Sequence, residues 1–186
     1  MIYFSMMVLD LLLSIYIVLT AVRLVRAFFM RTKLIKEIKA VCQNKNYELN
    51  KLRSPLISIF LKSKKIDMVV KTHSVVYHVK FISSLSPKKE YHFIDENNYV
   101  TYLKLFHALP MASKASETIH FSTFHRLPEI EKKDTANARY ILLFNPLPNV
   151  ITYIAKDGSK QTAGNGSMIG NLSVYNGKGF CTLLEK

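Results

Sequence analysis

The first 22 residues of the chain are predominantly apolar, and Asp10 is the one charged side chain among them. Because an α-helix rises about 1.5 Å per residue, this segment is long enough to cross a hydrocarbon core of about 30 Å. A cleaved signal peptide would carry positive charge before a shorter apolar core, whereas here the positive charge follows the core. The pattern therefore predicts a transmembrane anchor over residues 1–24.

Behind the anchor, apolar residues recur at spacings of three, four and seven while lysines take the other face, which is typical of an amphipathic helix. Pro55 disfavours the helical conformation for the residue before it, so we expect a basic juxtamembrane helix over residues 25–54. We expect its stripe to pack on the protein core and its first turns to contact lipid. The stripe comprises Leu34, Ile35, Ile38, Val41, Cys42, Leu49 and Leu52.

The remaining residues, 55–186, alternate between β-type runs and turn signals, which predicts an α+β domain dominated by antiparallel sheet. Residues 66–72 and 75–82 flank a short polar turn and predict one hairpin, and residues 90–94 and 99–105 predict a second. A further β-type run covers residues 56–61.

The pattern weakens over residues 110–138, where we expect a short helix around 113–119 and then a mobile loop. Two apolar runs, residues 140–144 and 150–155, flank a stiff connector at Asn145-Pro146-Leu147-Pro148, because each proline fixes its φ angle. With turns at Asn165-Gly166 and Asn176-Gly177, these last fifty residues predict a β-rich extension of the sheet.

Lys and Arg outnumber Asp and Glu by 26 to 13, and much of the excess lies directly behind the anchor. Because basic residues beside a span stay on the cytoplasmic side, they predict a single-pass protein of the cell membrane with an outside N-terminus and a cytoplasmic domain. The same charges make anionic lipids of the inner leaflet the expected partner. The predicted membrane-proximal patch comprises Arg23, Arg26, Arg31, Lys33, Lys36 and Lys39.

Asp10 lies inside the predicted span, where a charged group costs roughly 2.5–3.5 kcal/mol. One interpretation is a contact with another membrane helix, or a self-association seam shared with Ser14. The other is that the Leu-rich helix inserts regardless, with Asp10 protonated or locally hydrated.

Sequence signals for catalysis are weak. The six histidines form no His-Glu-x-x-His pattern, and no phosphate loop or Gly-x-Ser-x-Gly elbow occurs, so no metal or other cofactor is predicted. Cys42 and Cys181 lie far apart, without Cys-x-x-Cys spacing, which favours a reducing compartment.

One group of residues suggests a specific chemistry. A helix carrying Glu37 precedes a strand that opens with Asp67 and a hairpin strand that carries His78 and Lys80. Over roughly residues 33–105 this order resembles the restriction-endonuclease-like PD-(D/E)xK superfamily. The resemblance implies that Asp67 binds magnesium and that Lys80 positions the attacking water.

His78 occupies the place of the superfamily's second carboxylate, and imidazole suits magnesium badly, so the implied site is degenerate. An exposed Lys80 on a half-buried strand explains the same pattern. Aromatic residues and lysines that interleave along these strands also fit single-stranded nucleic acid, although ordinary strand alternation accounts for them. We therefore expect a binding or scaffold domain without catalysis, and the alternative is a membrane-tethered nuclease-like domain.

Overall fold

The computed structural model describes residues 2–50, 53–54, 66–82, 89–95, 98–105, 119–126, 137–145, 147–155 and 158–186. The chain has the predicted α+β class: a long N-terminal apolar helix, a mixed sheet domain and a short C-terminal helix. The predicted β-type run at residues 56–61 lies outside the described residues.

The predicted anchor and the predicted amphipathic helix form one continuous helix, α1 (Ile2–Asn44), of 43 residues. No glycine or proline interrupts this stretch, so nothing in the sequence breaks the helix between its two parts. At about 1.5 Å per residue α1 is about 64 Å long, roughly twice the thickness of a hydrocarbon core.

Helix α1 ends at Asn44 and does not continue to residue 54 as the sequence predicts. Asn46 adopts a left-handed backbone conformation (φ 55), and the Tyr47 N–H donates to the Cys42 carbonyl oxygen at 2.8 Å. This arrangement satisfies a helix-end carbonyl and turns the chain into a strand. Leu49 therefore belongs to the first strand, and Leu52 lies outside the described residues.

Residues 7–44 of α1 contain an 18-residue window of mean hydropathy 2.2, no part of which is buried in the protein. Within the described residues α1 is the one helix long and apolar enough to cross a membrane. The first part of α1 is thus a candidate membrane span, and its second part belongs to the domain.

Eleven strands and a second helix follow α1 along the described parts of the chain. They are β1 (Glu48–Asn50), β2 (Met68–Lys71), β3 (Val76–Ile82), β4 (Lys89–Phe93), β5 (Asn98–Leu105), β6 (Ile119–Arg126), β7 (Ala138–Phe144), β8 (Val150–Ile154), β9 (Lys160–Thr162), β10 (Met168–Ile169), β11 (Leu172–Asn176) and α2 (Gly177–Glu185).

These strands form two sheets, with orders β1-β2-β3-β7-β11-β10 and β6-β5-β4-β8-β9. The predicted hairpins β2–β3 and β4–β5 are confirmed, and both are antiparallel. In the first sheet β7 lies between β3 and β11 and is parallel to both. In the second sheet β4 and β8 are also parallel, so the fold is mixed.

Three sequence predictions for the later part of the chain are wrong. Residues 119–126, assigned to a helix end and a mobile loop, form strand β6, which pairs with β5. The residues after 138 are not an extension, because β7 is central to the first sheet. Asn176-Gly177 is not a β-turn: Asn176 caps α2, and its side-chain oxygen accepts from the Gly179 N–H at 2.6 Å. The rest of the predicted flexible segment lies outside the described residues.

The core has two layers, one on each face of the first sheet. On one face the two helices pack through residues four positions apart, such as Ile38 and Cys42 of α1 and Phe180 and Leu184 of α2. On the other face the first sheet packs against the second, and Phe144 is fully buried between them. The order of layers is therefore helices, first sheet, second sheet.

Candidate functional site

The carboxyl ends of β3 and β7 lie beside the part of α1 that follows the candidate span. The Arg31 guanidinium lies over the Phe81 ring, 4.6 Å from its centroid, one residue before β3 ends. The Asn145 amide, directly after β7, donates to the Met30 carbonyl oxygen at 3.1 Å. The predicted connector therefore begins with a contact that joins the sheet to α1.

The opposite end of the first sheet lies beside the end of α1, where Tyr47 and His73 make an edge-to-face ring contact. Since β11 is parallel to β7, all three parallel strands run towards the candidate span. At the end where these parallel strands finish, helix α2 begins in close contact with α1. A Cβ added to Gly177 there would lie 2.6 Å from Leu34 Cδ1. We call this end of the domain, where β3, β7 and β11 finish and α2 begins, the membrane-proximal end.

At the membrane-proximal end a buried carboxylate pairs with a buried ammonium group. Asp67, just before β2, has an Oδ2 atom 3.1 Å from Lys80 Nζ, and the same oxygen accepts the Phe81 backbone N–H at 2.9 Å. The two side chains are only 3% and 12% exposed. Antiparallel pairing of β2 with β3 brings the two residues together, because Met68 pairs with Val79.

Two arginines add positive charge around this pair. Arg31 is 4% exposed and attracts Asp67, but loss of hydration dominates, and burial lowers the pKa of Arg31 below its ordinary value. Burial likewise lowers the pKa of Lys80, Asp67 opposes that change, and Arg31 and Arg53 reinforce it. We call Arg31, Arg53, Asp67 and Lys80 the cationic cluster. It contains three cations and one carboxylate, a formal charge of about +2 among the described residues.

Of the four candidates that the sequence offers, the structure brings Asp67 and Lys80 together and leaves the other two apart from them. Glu37 is exposed on α1, and its charge acts on Cys181 of α2 instead. His78 stacks on Tyr140, with ring centroids 5.1 Å apart, and burial lowers its pKa. Among the described residues no group of three or more His, Cys, Asp or Glu side chains could hold a metal ion.

The predicted basic patch divides into two kinds of residue. Arg23, Arg26, Lys33, Lys36 and Lys39 are exposed on α1. Arg31 is buried instead, because it faces the sheet and joins the cationic cluster. Nothing in the sequence separates it from its neighbours except that it falls between Ala27 and Leu34 on the buried side of the helix.

Asp10 and Ser14 are both exposed on the candidate span, one helical turn apart. No described part of the domain covers them, so their environment is whatever surrounds the span. The two interpretations drawn from the sequence both remain.

A concave site lies beside α2. It has a volume of about 430 Å³, and its lining includes Asn165, Tyr175, Lys178 and Lys186. Sequence reasoning missed this site, because it depends on the turn at Asn165-Gly166 folding onto α2. Asn165 Oδ1 accepts the Asn176 N–H at 2.9 Å, which holds that turn in place.

Comparisons of this chain with protein-family models, with curated proteins and with solved structures gave no match. The contacts of its own residues are therefore the basis for any functional proposal.

Proposed function

We propose that the chain is a single-pass protein of the cell membrane whose α+β domain lies in the cytoplasm and binds anionic lipids of the inner leaflet. In this role it is a binding or scaffold domain and carries out no reaction. The observation that carries the proposal is the continuity of α1. Because the helix is unbroken from Ile2 to Asn44, the exposed residues Arg23 and Arg26, which directly follow the span, are held beside the bilayer.

Distance decides which of these charges matter most. In an upright helix Arg23 and Arg26 lie within about 6 Å of Val22, whereas Lys36 and Lys39 lie about 21 and 26 Å from it. At physiological salt, interactions between charges decay over about 8 Å. The two arginines should therefore supply most of the attraction, on the order of 1 kcal/mol each, and the distant lysines little.

A fluorescence experiment tests this proposal on the full chain. The sequence contains no tryptophan, and Val25 is 54% exposed on α1 about 5 Å beyond Val22, so the Val25→Trp variant carries a single reporter next to the span. In mixed-lipid nanodiscs we expect brominated phosphatidylserine to quench this tryptophan more than the same share of brominated phosphatidylcholine does, and salt should remove the difference.

The chain offers a matched control. In the reporter background, Arg23→Ala with Arg26→Ala should abolish the preferential quenching, whereas Lys36→Ala with Lys39→Ala, which removes the same charge, should preserve it. Equal quenching by the two lipids in the parent would refute the proposal. Equal loss in both double variants would refute the assignment to the first turns of the helix.

A second candidate function is the nuclease-like domain. One observation favours it: Asp67 and Lys80, which the resemblance pairs, are in contact. Against it, Asp67 Oδ2 already accepts from both the ammonium group and a backbone N–H, so magnesium would have to displace a cation from that oxygen. If this function is correct, the full chain should cleave DNA or RNA with magnesium or manganese, and Asp67→Asn should abolish cleavage. Absence of cleavage with both metals excludes it.

A further inference from the structure

Three features at the membrane-proximal end favour an anion. The parallel strands β3, β7 and β11 end there, helix α2 begins there, and the cationic cluster lies there. Ligands of parallel sheets commonly bind beyond the carboxyl ends of the strands. In this chain that end faces the span, and thus the lipid headgroups if the span crosses a bilayer.

The charge of the cluster indicates which anion fits. Its formal charge of about +2 includes Arg31 and Asp67, both more than nine-tenths buried. A phosphate monoester carries about −1.5 to −2 at neutral pH, whereas a phosphodiester carries −1, so the monoester is the better match.

Position along α1 agrees with a lipid as the source of that phosphate. Exposed apolar side chains continue past Val22 to Val25 and Phe29. Arg31 therefore lies about 3 Å beyond the last exposed apolar residue and about 14 Å beyond Val22. Because a headgroup layer is only about 5–7 Å thick, a lipid phosphate at the cluster requires the exposed apolar residues up to Phe29 to enter the interface, which leaves Arg31 about 3 Å beyond it.

The side-chain types fit the same ligand. Arginine presents a planar group of donors that matches phosphate oxygens in pairs, and lysine adds a compact charge. Asp67 orients Lys80 through the 3.1 Å contact, which holds the ammonium group in one position.

We propose that the cationic cluster binds the phosphomonoester of an anionic phospholipid, with Arg31, Arg53 and Lys80 as the phosphate-binding residues and Asp67 as their positioning residue. This inference rests on the proposed function and deepens it, because it separates a specific headgroup site from the general attraction of the exposed arginines.

The test uses the full chain in detergent micelles doped with single phospholipids, with bound lipids counted by native mass spectrometry. Phosphatidic acid supplies a monoester, and phosphatidylglycerol supplies a diester. The wild type should retain one phosphatidic acid with about tenfold or greater preference over phosphatidylglycerol, since a charge-assisted hydrogen bond accounts for about that ratio.

Arg53→Gln is the first variant, because Arg53 is only half-buried and its charge repels Lys80, so its removal should leave the fold intact. It should lower the preference about tenfold. Lys80→Arg, which keeps the charge, should retain more of the preference than Lys80→Gln. The matched control, Lys36→Gln, removes an exposed charge from α1 and should leave the preference unchanged.

Each other outcome overturns the inference in a distinct way. Equal binding of the two lipids excludes a phosphomonoester site, and an unchanged preference in Arg53→Gln excludes this cluster. Displacement of phosphatidic acid by inorganic phosphate at equal concentration would show a soluble anion site and no lipid site. If the tryptophan experiment succeeds and this one fails, the general proposal stands alone. If both fail, the proposed function fails as well.

Discussion

Removal of the Asp67 carboxylate should destabilise the domain more than any exposed substitution. At 3.1 Å from Lys80 Nζ, and at an effective dielectric constant of about 20, the attraction between the two charges is roughly 5 kcal/mol before desolvation is subtracted. Breaking a buried pair by removing one partner typically costs about 3–5 kcal/mol, because the other charge stays buried. The Phe81 N–H also loses this acceptor.

We therefore expect Asp67→Ala to lower the free energy of unfolding by about 3–5 kcal/mol, and Asp67→Asn by less, since the amide oxygen still accepts from Phe81. The assay is denaturant titration of the full chain in nanodiscs, with the folded fraction read by brief proteolysis. In a chain that already carries Lys80→Met, Asp67→Ala should cost at least about 1 kcal/mol less than it does in the wild type. The reason is that residue 80 then has no charge that the loss of Asp67 could leave unpaired.

Two results would contradict this reasoning. A cost below about 0.5 kcal/mol for Asp67→Ala would mean that the carboxylate contributes nothing to the fold. Strict additivity of Asp67→Ala and Lys80→Met would mean that the two side chains do not interact in solution, whatever their distance.

The other predictions concern α2. Gly177→Ala should cost about 1–3 kcal/mol, because its Cβ would lie 2.6 Å from Leu34 Cδ1, whereas Gly164→Ala, which meets nothing within 4 Å, should be neutral in the same titration. Burial, reinforced by the charge of Glu37, raises the pKa of Cys181 to about 11. The alkylation rate of Cys181 should therefore increase with pH until about pH 11. In the Glu37→Gln variant the rate should reach its plateau at a lower pH. Because the unfolded thiol ionises near 9 while the folded one stays neutral, stability should fall as pH rises from about 9 to 11, and Cys181→Ala should reduce that fall. A rate profile centred near 9, or no response to Glu37→Gln, would contradict the electrostatic explanation.

The parts of the fold that the sequence predicts correctly are local. The hairpin over residues 66–82 depends on two alternating runs and the turn between them, and the Thr72 N–H indeed donates to the Val75 carbonyl oxygen at 2.9 Å. The second hairpin is stabilised by the Asn98 N–H, which donates to Asp95 at 2.7 Å. Both pairings need only neighbouring residues, and these are present in the pattern.

The parts that the sequence does not predict depend on distant residues. The parallel pairing of β3 with β7 joins Val76 to Ala138, more than sixty residues apart, and no short-range signal encodes such a partner. Helix α2 begins with Gly177 and Gly179, which read as turn residues; its stability comes from the Asn176 cap and from burial of Phe180. In both cases tertiary packing overrides local preference.

The candidate site shows the same division. Asp67 and Lys80 are predictable as a pair, because they lie opposite each other across a recognisable hairpin. Arg31 is not, since a run of basic residues on a helix does not reveal which one the sheet will cover. Charge alone groups Arg31 with the exposed basic residues of α1, and its contact with the ring of Phe81 shows that it is buried against the sheet.

The proposed function depends most on α1 crossing the membrane with the domain inside the cell. The direct measurement adds protease to intact cells that express the chain with one tag before Met1 and another after Lys186. We expect the first tag to be removed and the second to survive until the cells are permeabilised. Digestion of the second tag in intact cells, or a mature chain that begins near residue 25, would contradict the topology and the lipid-binding proposals built on it.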